Sequence, residues 1–366
     1  MSEKRIVPVV MPKWGLSMKE GKVTSWLVPD GKEVEVGEPV LEVETDKIAG
    51  AVESTEQGVL RRRVGEANTT YPVKALLGVI ADANVPEAEI DAYVASYVTP
   101  AADAEDEEAG PGHEFVEVSA GRLRYARRGS GPDSIVLIHG FGGDLDNWLF
   151  NIDALAPQFT VYALDLPGHG QSVKSPGDGT AAAFARTIVA FLDAQGIDRA
   201  HLVGHSLGGA IAIEVANLAP DRVRSLSLIA SAGLGPEINM DYVNGFATAT
   251  SRKELKPLLE KLFADPSKVS RQMIDDILKY KRLDGVSAAL ATVAAGAVPG
   301  GRQRSIPWPA GMRTLVIWGR HDNIVPASHA ANAAGARVEI IDGAGHMVQM
   351  EDAGKVNALI REHAAG

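Results

Sequence analysis

Two hydrophobic rhythms divide the chain. Up to about residue 82, apolar positions come in short β-type runs: KVTSWLV, PVLEVE, IAGAVES, GVLRRRV and LLGVIA, punctuated by PDG, VGEP and QG. Such spacing predicts a small all-β sheet or flattened barrel. The following segment PEAEIDAYVASYV sets Ile90, Tyr93, Val94 and Tyr97 on one helical face and predicts a closing helix. The two halves of residues 20–80 are weakly similar to each other. Beyond residue 113 the pattern changes. FVEVS and RLRYARRG predict an opening hairpin. IVLIHG, FTVYALDLPG, HLVGHS, VRSLSLIAS, RTLVIWG and RVEIIDGAG are continuous β-branched runs of the kind a sheet covered on both faces requires. Helical segments lie between them, so a mainly parallel α/β sheet is expected. Residues 234–305 break the alternation with SRKELKPLLEKLF and RQMIDDILKYKRL and no buried-strand run, which predicts a helical cap inserted over the sheet.

Between the two rhythms lies TPAADAEDEEAGPG, residues 99–112, without a large apolar side chain. It reads as an acidic linker whose fourteen residues would span about 20 Å on average and at most roughly 50 Å. The expected organisation is a domain over 1–98, the linker, and a domain over 113–366. The net charge of −11 divides as −5, −5 and −1 over these three parts, which argues against nucleic acid as a partner. No apolar run approaches the roughly 18 residues of a membrane helix. The first residues, MSEKRIVPVVMPKWG, lack an export signal's apolar core and cleavage site, so no membrane and a cytoplasmic location are expected. With no cysteine, the chain has neither disulfide nor thiol nucleophile, nor a thiolate metal ligand.

Chemistry concentrates in the second domain. LVGHSLGG has the form G-x-S-x-G with Gly204, Ser206 and Gly208, between a strand run and the helical run AIAIEVANLA. This is the setting of a nucleophile elbow, where small neighbours permit the strained turn that lifts a serine hydroxyl above the sheet. A serine needs a base, and the base an orienting acid. Of the downstream histidines at 321, 329, 346 and 363, His346 in IIDGAGHMVQME lies just past the last strand and fits the base. His329 and His363 read as surface residues, and His321 as structural, since no metal-ligand spacing accompanies it. Asp322 in VIWGRHDNIVP is the preferred acid, with Asp342 as fallback. IHGFGG, residues 138–143, leaves a buried strand and enters glycines, so the amides of Phe141 and Leu207 are the expected oxyanion donors. LDLPGHGQS, with Asp165, Gly168, His169 and Gly170, reads as a scaffold loop held by turn geometry. No metal is expected.

In the first domain, VETDKIAG reads as a hairpin with Asp46 and Lys47 at its tip, where two-residue turns ordinarily favour Asn-Gly or Asp-Gly. A tip lysine with a normal pKa near 10.4 does no chemistry unaided, but presents an amine to a modifying enzyme. Arg61, Arg62 and Arg63 read as a solvated strand face.

These motifs carry resemblances. Residues 113–366 resemble an α/β-hydrolase fold domain through IHGFGG, GHSLGG, WGRHDNIVP and GAGHMVQME. Residues 6–82 resemble a lipoyl domain through MPKWGLSMKEGKV and ETDKIA, which implies Lys47 as the lipoyl attachment point. Biotin carriers flank that lysine with methionines, whereas Asp46 and Ile48 stand here. GEANTTYPVKALLGVIA departs from the lipoyl pattern in lacking a glycine-led turn before its final strand. The H-x-x-x-D-G motif of the acyltransferases in 2-oxo-acid dehydrogenase complexes is absent. The fusion as a whole resembles the dihydrolipoamide acetyltransferase components of acetoin dehydrogenase complexes. That resemblance implies acetyl transfer from a lipoyl arm to coenzyme A by way of Ser206. It further implies a homo-oligomer, a thiamine-diphosphate-dependent acetoin-cleaving component and a dihydrolipoyl dehydrogenase as partners. Alternatives are an esterase or thioesterase carrying a lipoyl domain, and a non-catalytic lipoyl carrier and scaffold subunit.

Overall fold

The computed structural model describes residues 6–14, 18–45, 49–100 and 113–366. The chain forms two compact units, Met1–Gly112 and His113–Gly366.

The first unit contains β1 (Ile6–Val10), β2 (Glu20–Trp26), β3 (Glu33–Val34), β4 (Pro39–Glu44), β5 (Ala49–Glu53), β6 (Gly58–Arg63), β7 (Thr69–Pro72), β8 (Leu76–Ala81) and helix α1 (Glu87–Ser96). They form two four-stranded antiparallel sheets, β1-β8-β6-β3 and β5-β4-β2-β7. Alternation along β4 turns Leu41 and Val43 into a shared core with Val23, Val34, Leu60, Leu77 and Ile80, and leaves Glu42 and Glu44 exposed. β8 is buried along its whole length because α1 covers its other face, seating Ile90 against Leu76 and Val79. The arginines of β6 are paired rather than simply solvated. Arg61 and Arg62 bond Glu87 and Arg62 also reaches Asp91 at 2.7 Å, tying the strand to the first turns of α1, while Arg63 reaches Asp30 at 3.1 Å.

β4 and β5 pair until Glu44 lies opposite Ala49; the expected tip, Asp46 and Lys47, lies with Ile48 outside the described residues. One turn differs from the sequence expectation. Before β8, Lys74 takes the place of the missing glycine at φ 69°. Its turn is closed by Ala75 N donating to Pro72 O at 3.0 Å and braced by the Tyr97 hydroxyl donating to Lys74 O at 2.9 Å.

The second unit contains β9 (Glu114–Val118), β10 (Gly121–Arg128), β11 (Ser134–Ile138), β12 (Thr160–Leu164), β13 (Ala200–His205), β14 (Val223–Ile229), β15 (Thr314–Gly319) and β16 (Arg337–Ile341). They lie in the order β16-β15-β14-β13-β11-β12-β10-β9. β11 through β16 are mutually parallel, while the β9–β10 hairpin joins β12 antiparallel. The central strands are buried throughout, as sheets covered on both faces require. Among the helices are α2 (Ala181–Ala194), α3 (Leu207–Leu218) and α4 (Ala353–Ala365). Between β14 and β15 the chain is helical: α5 (Met240–Thr248), α6 (Arg252–Leu259), α7 (Arg271–Lys281) and α8 (Val286–Ala297). Ser251 and Glu254 form a reciprocal capping box at the start of α6. No helix among the described residues is long and apolar enough to cross a membrane.

Candidate active site

The parallel strands end at one edge of the sheet, and the loops leaving β11, β13, β15 and β16 carry the expected site residues. Ser206 stands between β13 and α3 at φ 54°, ψ −116°. A non-glycine residue held there costs of order 1–3 kcal/mol and persists only where its surroundings over-determine it. They do. Ser206 N donates to Ile229 O at 2.9 Å, and Ser206 O accepts from Gly209 N and Ala232 N, each at 2.9 Å. The flanking glycines are required by close approach: a Cβ on Gly208 would lie 2.0 Å from Ile138 O, and one on Gly204 2.3 Å from Gly208 O. Strand and helix therefore meet backbone to backbone, and the serine is the residue left to protrude.

His346 and Asp322 meet across the next two loops. The His346 Nδ1 lies 2.8 Å from Asp322 Oδ2. The Asp322 side chain is fully buried, and its carboxylate also accepts from Trp318 Nε1 at 2.9 Å, Ile324 N at 2.8 Å and Val325 N at 2.9 Å. Four donors on one carboxylate compensate the loss of water. His346 is anchored by its backbone, with its N–H donating to Leu262 O at 2.8 Å and its carbonyl accepting from His205 Nε2 at 3.0 Å. Its ring centroid lies 4.8 Å from that of His205, the residue before Ser206. Burial holds His205 neutral, far below the ordinary histidine range.

Phe141 and Leu207 border the same cavity as Ser206, a space of about 240 Å³. Neither backbone amide donates a hydrogen bond to a protein group among the described residues. The loop carrying Phe141 is fixed from β12. Leu166 N donates to His139 Nε2 at 3.0 Å and Gly142 N donates to His169 Nε2 at 3.2 Å. His169 Nδ1 lies 3.2 Å from Pro167 O, which assigns the proton to Nδ1 and leaves Nε2 as acceptor. Burial lowers the His169 pKa to about 3, so this arrangement persists at neutral pH. Asp165 receives Arg124 Nε at 2.6 Å, Leu145 N at 2.9 Å and Gln171 N at 2.7 Å. LDLPGHGQS is thus more than a turn: His169 orients the loop of Phe141. Sequence reasoning missed that role, although a histidine following the strand next to β11 was a usable signal.

The remaining candidates separate cleanly. Asp342 is exposed and paired with Arg320, while the imidazole takes Asp322. His321 is exposed. His329 is a correction: it is only 4 % exposed and bonds Glu237 Oε2 at 2.7 Å, because the turn carrying it packs under the loop after β14. His363 is another, since α4 continues through it and holds it half-buried, with burial lowering its pKa. Lys47 lies outside the described residues.

Comparison with known proteins adds the following. The family model for the alpha/beta hydrolase fold matches residues 133–353, and one described as biotin-requiring enzyme matches residues 7–80. A protein of Cupriavidus necator described as the dihydrolipoyllysine-residue acetyltransferase component of an acetoin cleaving system is 54% identical over 99% of this chain and 98% of its own length. A Pseudomonas putida protein of the same description is 49% identical over 98% of this chain and 100% of its own length. Among solved structures, a meta-cleavage product hydrolase from Pseudomonas fluorescens IP01 superposes with a TM-score of 0.63 at 23% identity, covering 68% of this chain and 96% of that one.

Proposed function

The chain belongs to the family of dihydrolipoyllysine-residue acetyltransferase components of acetoin-cleaving systems, and its second unit to the α/β-hydrolase fold family, and from that premise we propose that Ser206, His346 and Asp322 form a triad moving an acetyl group from a lipoyl thioester to coenzyme A. What supports this reading is a buried imidazole–carboxylate pair at 2.8 Å whose imidazole centroid lies 4.8 Å from that of His205, the residue before a serine on a strained strand-to-helix turn.

Lipoate in amide linkage to Lys47 would supply a thiol that carries acetyl as a thioester. The first unit fits such a carrier: β4 and β5 end at Glu44 and Ala49, at the base of the segment containing Lys47. In acylation, His346 Nε2 takes the Ser206 proton as Oγ attacks the thioester carbonyl. The C–O bond forms, the C–S bond breaks, and His346 returns the proton to the departing sulfur. The amides of Phe141 and Leu207 receive the developing oxyanion. In the second half, His346 takes the proton of the coenzyme A thiol, sulfur attacks the acyl-serine, and Ser206 recovers its proton as the C–O bond breaks. Asp322 keeps the imidazole in the required tautomer. The thioester bond energy survives only if water is kept from the acyl-serine. The 8 % exposure of Ser206 and the Ala210, Ala232 and Val298 walls of its cavity favour that outcome. An acetoin-cleaving component that loads the arm and a dihydrolipoyl dehydrogenase that reoxidises it complete the proposed cycle.

The test is single-turnover acetylation with a labelled acetyl-dihydrolipoyl thioester. Label on Ser206 that coenzyme A discharges as acetyl-CoA supports the reading; transfer at an undiminished rate in Ser206→Ala refutes it.

A further inference from the structure

Two thiols of different chemistry must reach one serine. On the acyl-transfer reading just given, the geometry points to Arg304, assisted by Arg302, as the site that grips the phosphates of the acceptor, a pantetheine-bearing nucleotide whose uncharged arm enters the cavity above Ser206.

The local structure begins at Gln303, which is buried and clamped into the unit. Its Oε1 accepts from Gly233 N at 3.0 Å, its Nε2 donates to Glu237 O at 2.7 Å, and its backbone N donates to Pro236 O at 3.0 Å. Ile306 N closes the same connection by donating to Gly233 O at 2.8 Å. Arg302 is extended at φ −135°, ψ 143°. Along an extended chain neighbouring side chains point to opposite sides, so the inward Gln303 directs Arg302 and Arg304 outward, and both are exposed. Arg304 borders the cavity that has Ser206 in its wall. Neither arginine forms an ion pair among the described residues. The nearby Glu237 is engaged by His329, with Arg302 adding to its acidity.

Apart from Asp178, Glu214 and Arg304 the cavity is lined by uncharged residues, small ones such as Ala210, Ala232 and Ala297 beside larger apolar ones such as Phe141 and Ile306. Such a passage admits a flexible uncharged arm and leaves multiply charged groups outside. A guanidinium at the entrance matches phosphate oxygens with two parallel donors. A lipoyl arm is tethered to protein and has no phosphate, so a phosphate grip separates the two thiols that use the serine. Two carboxylates line the same cavity. Asp178 is held by Thr180, accepting from its amide at 2.9 Å and its hydroxyl at 2.7 Å, while Glu214 borders the cavity on α3. Glu214 opposes an anion and sets the sign of a second variant.

The experiment uses the full lipoylated chain and compares KM for coenzyme A with KM for pantetheine, which has the same arm without phosphates, in wild type, Arg304→Gln, Arg302→Gln and Glu214→Gln. Arg304→Gln is expected to raise the KM for coenzyme A about tenfold and to leave that for pantetheine within twofold. Arg302→Gln gives a smaller rise, and Glu214→Gln lowers the KM for coenzyme A. Equal effects of Arg304→Gln on both acceptors, or none on either, overturn the phosphate grip while acyl transfer stands. If wild-type protein releases only acetate with either acceptor, the acyl-transfer reading falls and the grip with it.

Discussion

Replacing Asp322 by asparagine tests the site with the least change of shape. All four donors facing this carboxylate are fixed: His346 Nδ1 and Trp318 Nε1 at one oxygen, Ile324 N and Val325 N at the other. An amide offers one oxygen and one NH2 group, so in either orientation two donors face a donor. If the NH2 turns toward the main-chain amides, two buried N–H groups lose their partner, each at a cost of about 1–3 kcal/mol. If it turns toward His346, the imidazole must accept at Nδ1 and carry its proton on Nε2, which removes the base from Ser206. The first orientation lowers stability by about 2–6 kcal/mol; the second costs the general-base contribution of about 10²–10⁴ in rate. Urea unfolding read together with stopped-flow acylation by an acetyl thioester separates the two. The expected outcome is an acylation rate about 10³-fold below wild type, with stability reduced in proportion to the first orientation's population. A variant that matches wild type in both measurements would refute the role given to Asp322.

Other substitutions probe other layers of the structure. Gly208→Ala drives a Cβ to within 2.0 Å of Ile138 O, and a loss of at least about 3 kcal/mol in chemical denaturation is expected, since backbone cannot yield cheaply. Lys74→Gly relieves a positive φ of 69° and should stabilise the first unit by up to about 1 kcal/mol in the same assay. Burial lowers the pKa of His139 and His205, that of His169 to about 3 and that of His201 to about 4. These groups are neutral when folded and gain a proton on unfolding below pH 6.5. Stability should therefore fall as pH drops from 6.5 toward 4, by about 1.4 kcal/mol per pH unit for each of His169 and His201, with His139 and His205 acting in the same direction; Asp144, raised by burial to about 7, titrates with the opposite sign and offsets part of it. Unfolding midpoints between pH 7 and 4.5 check the slope. Lys47→Arg should abolish lipoylation in an intact-mass measurement, while Ser206 remains acetylated by free acetyl-dihydrolipoamide.

Where residues speak through their neighbours in sequence, the chain was legible. LVGHSLGG specifies its own strand, turn and helix, and the loop of Asp322 follows a run whose continuous apolarity marks a central strand, while that of His346 follows the edge strand β16. The pieces that escaped depend on contacts distant in sequence. His329 lies in an alanine-rich turn and reads as surface, yet it is buried against Glu237, 92 positions earlier. His169 looks like part of a turn, but its value lies in the amide of Gly142 on the adjoining strand's loop. Two of the three arginines of β6, Arg61 and Arg62, acquire meaning only when α1 brings Glu87 and Asp91 over them. Lys74 could adopt a glycine's conformation because Tyr97, from beyond α1, holds its carbonyl. Local pattern located the strands and their loops; packing between elements decided which polar side chains were buried and paired.

The central claim is that an acyl-serine passes its acetyl to a thiol instead of to water. Its most direct measurement isolates enzyme acetylated at Ser206, mixes it with coenzyme A at physiological concentration, and quantifies acetyl-CoA and acetate from the same quenched sample. Acetyl-CoA as the dominant product, lost in His346→Ala, is the expected result. Acetate alone, or acetyl-CoA formed equally well by Ser206→Ala from the lipoyl thioester, would contradict it.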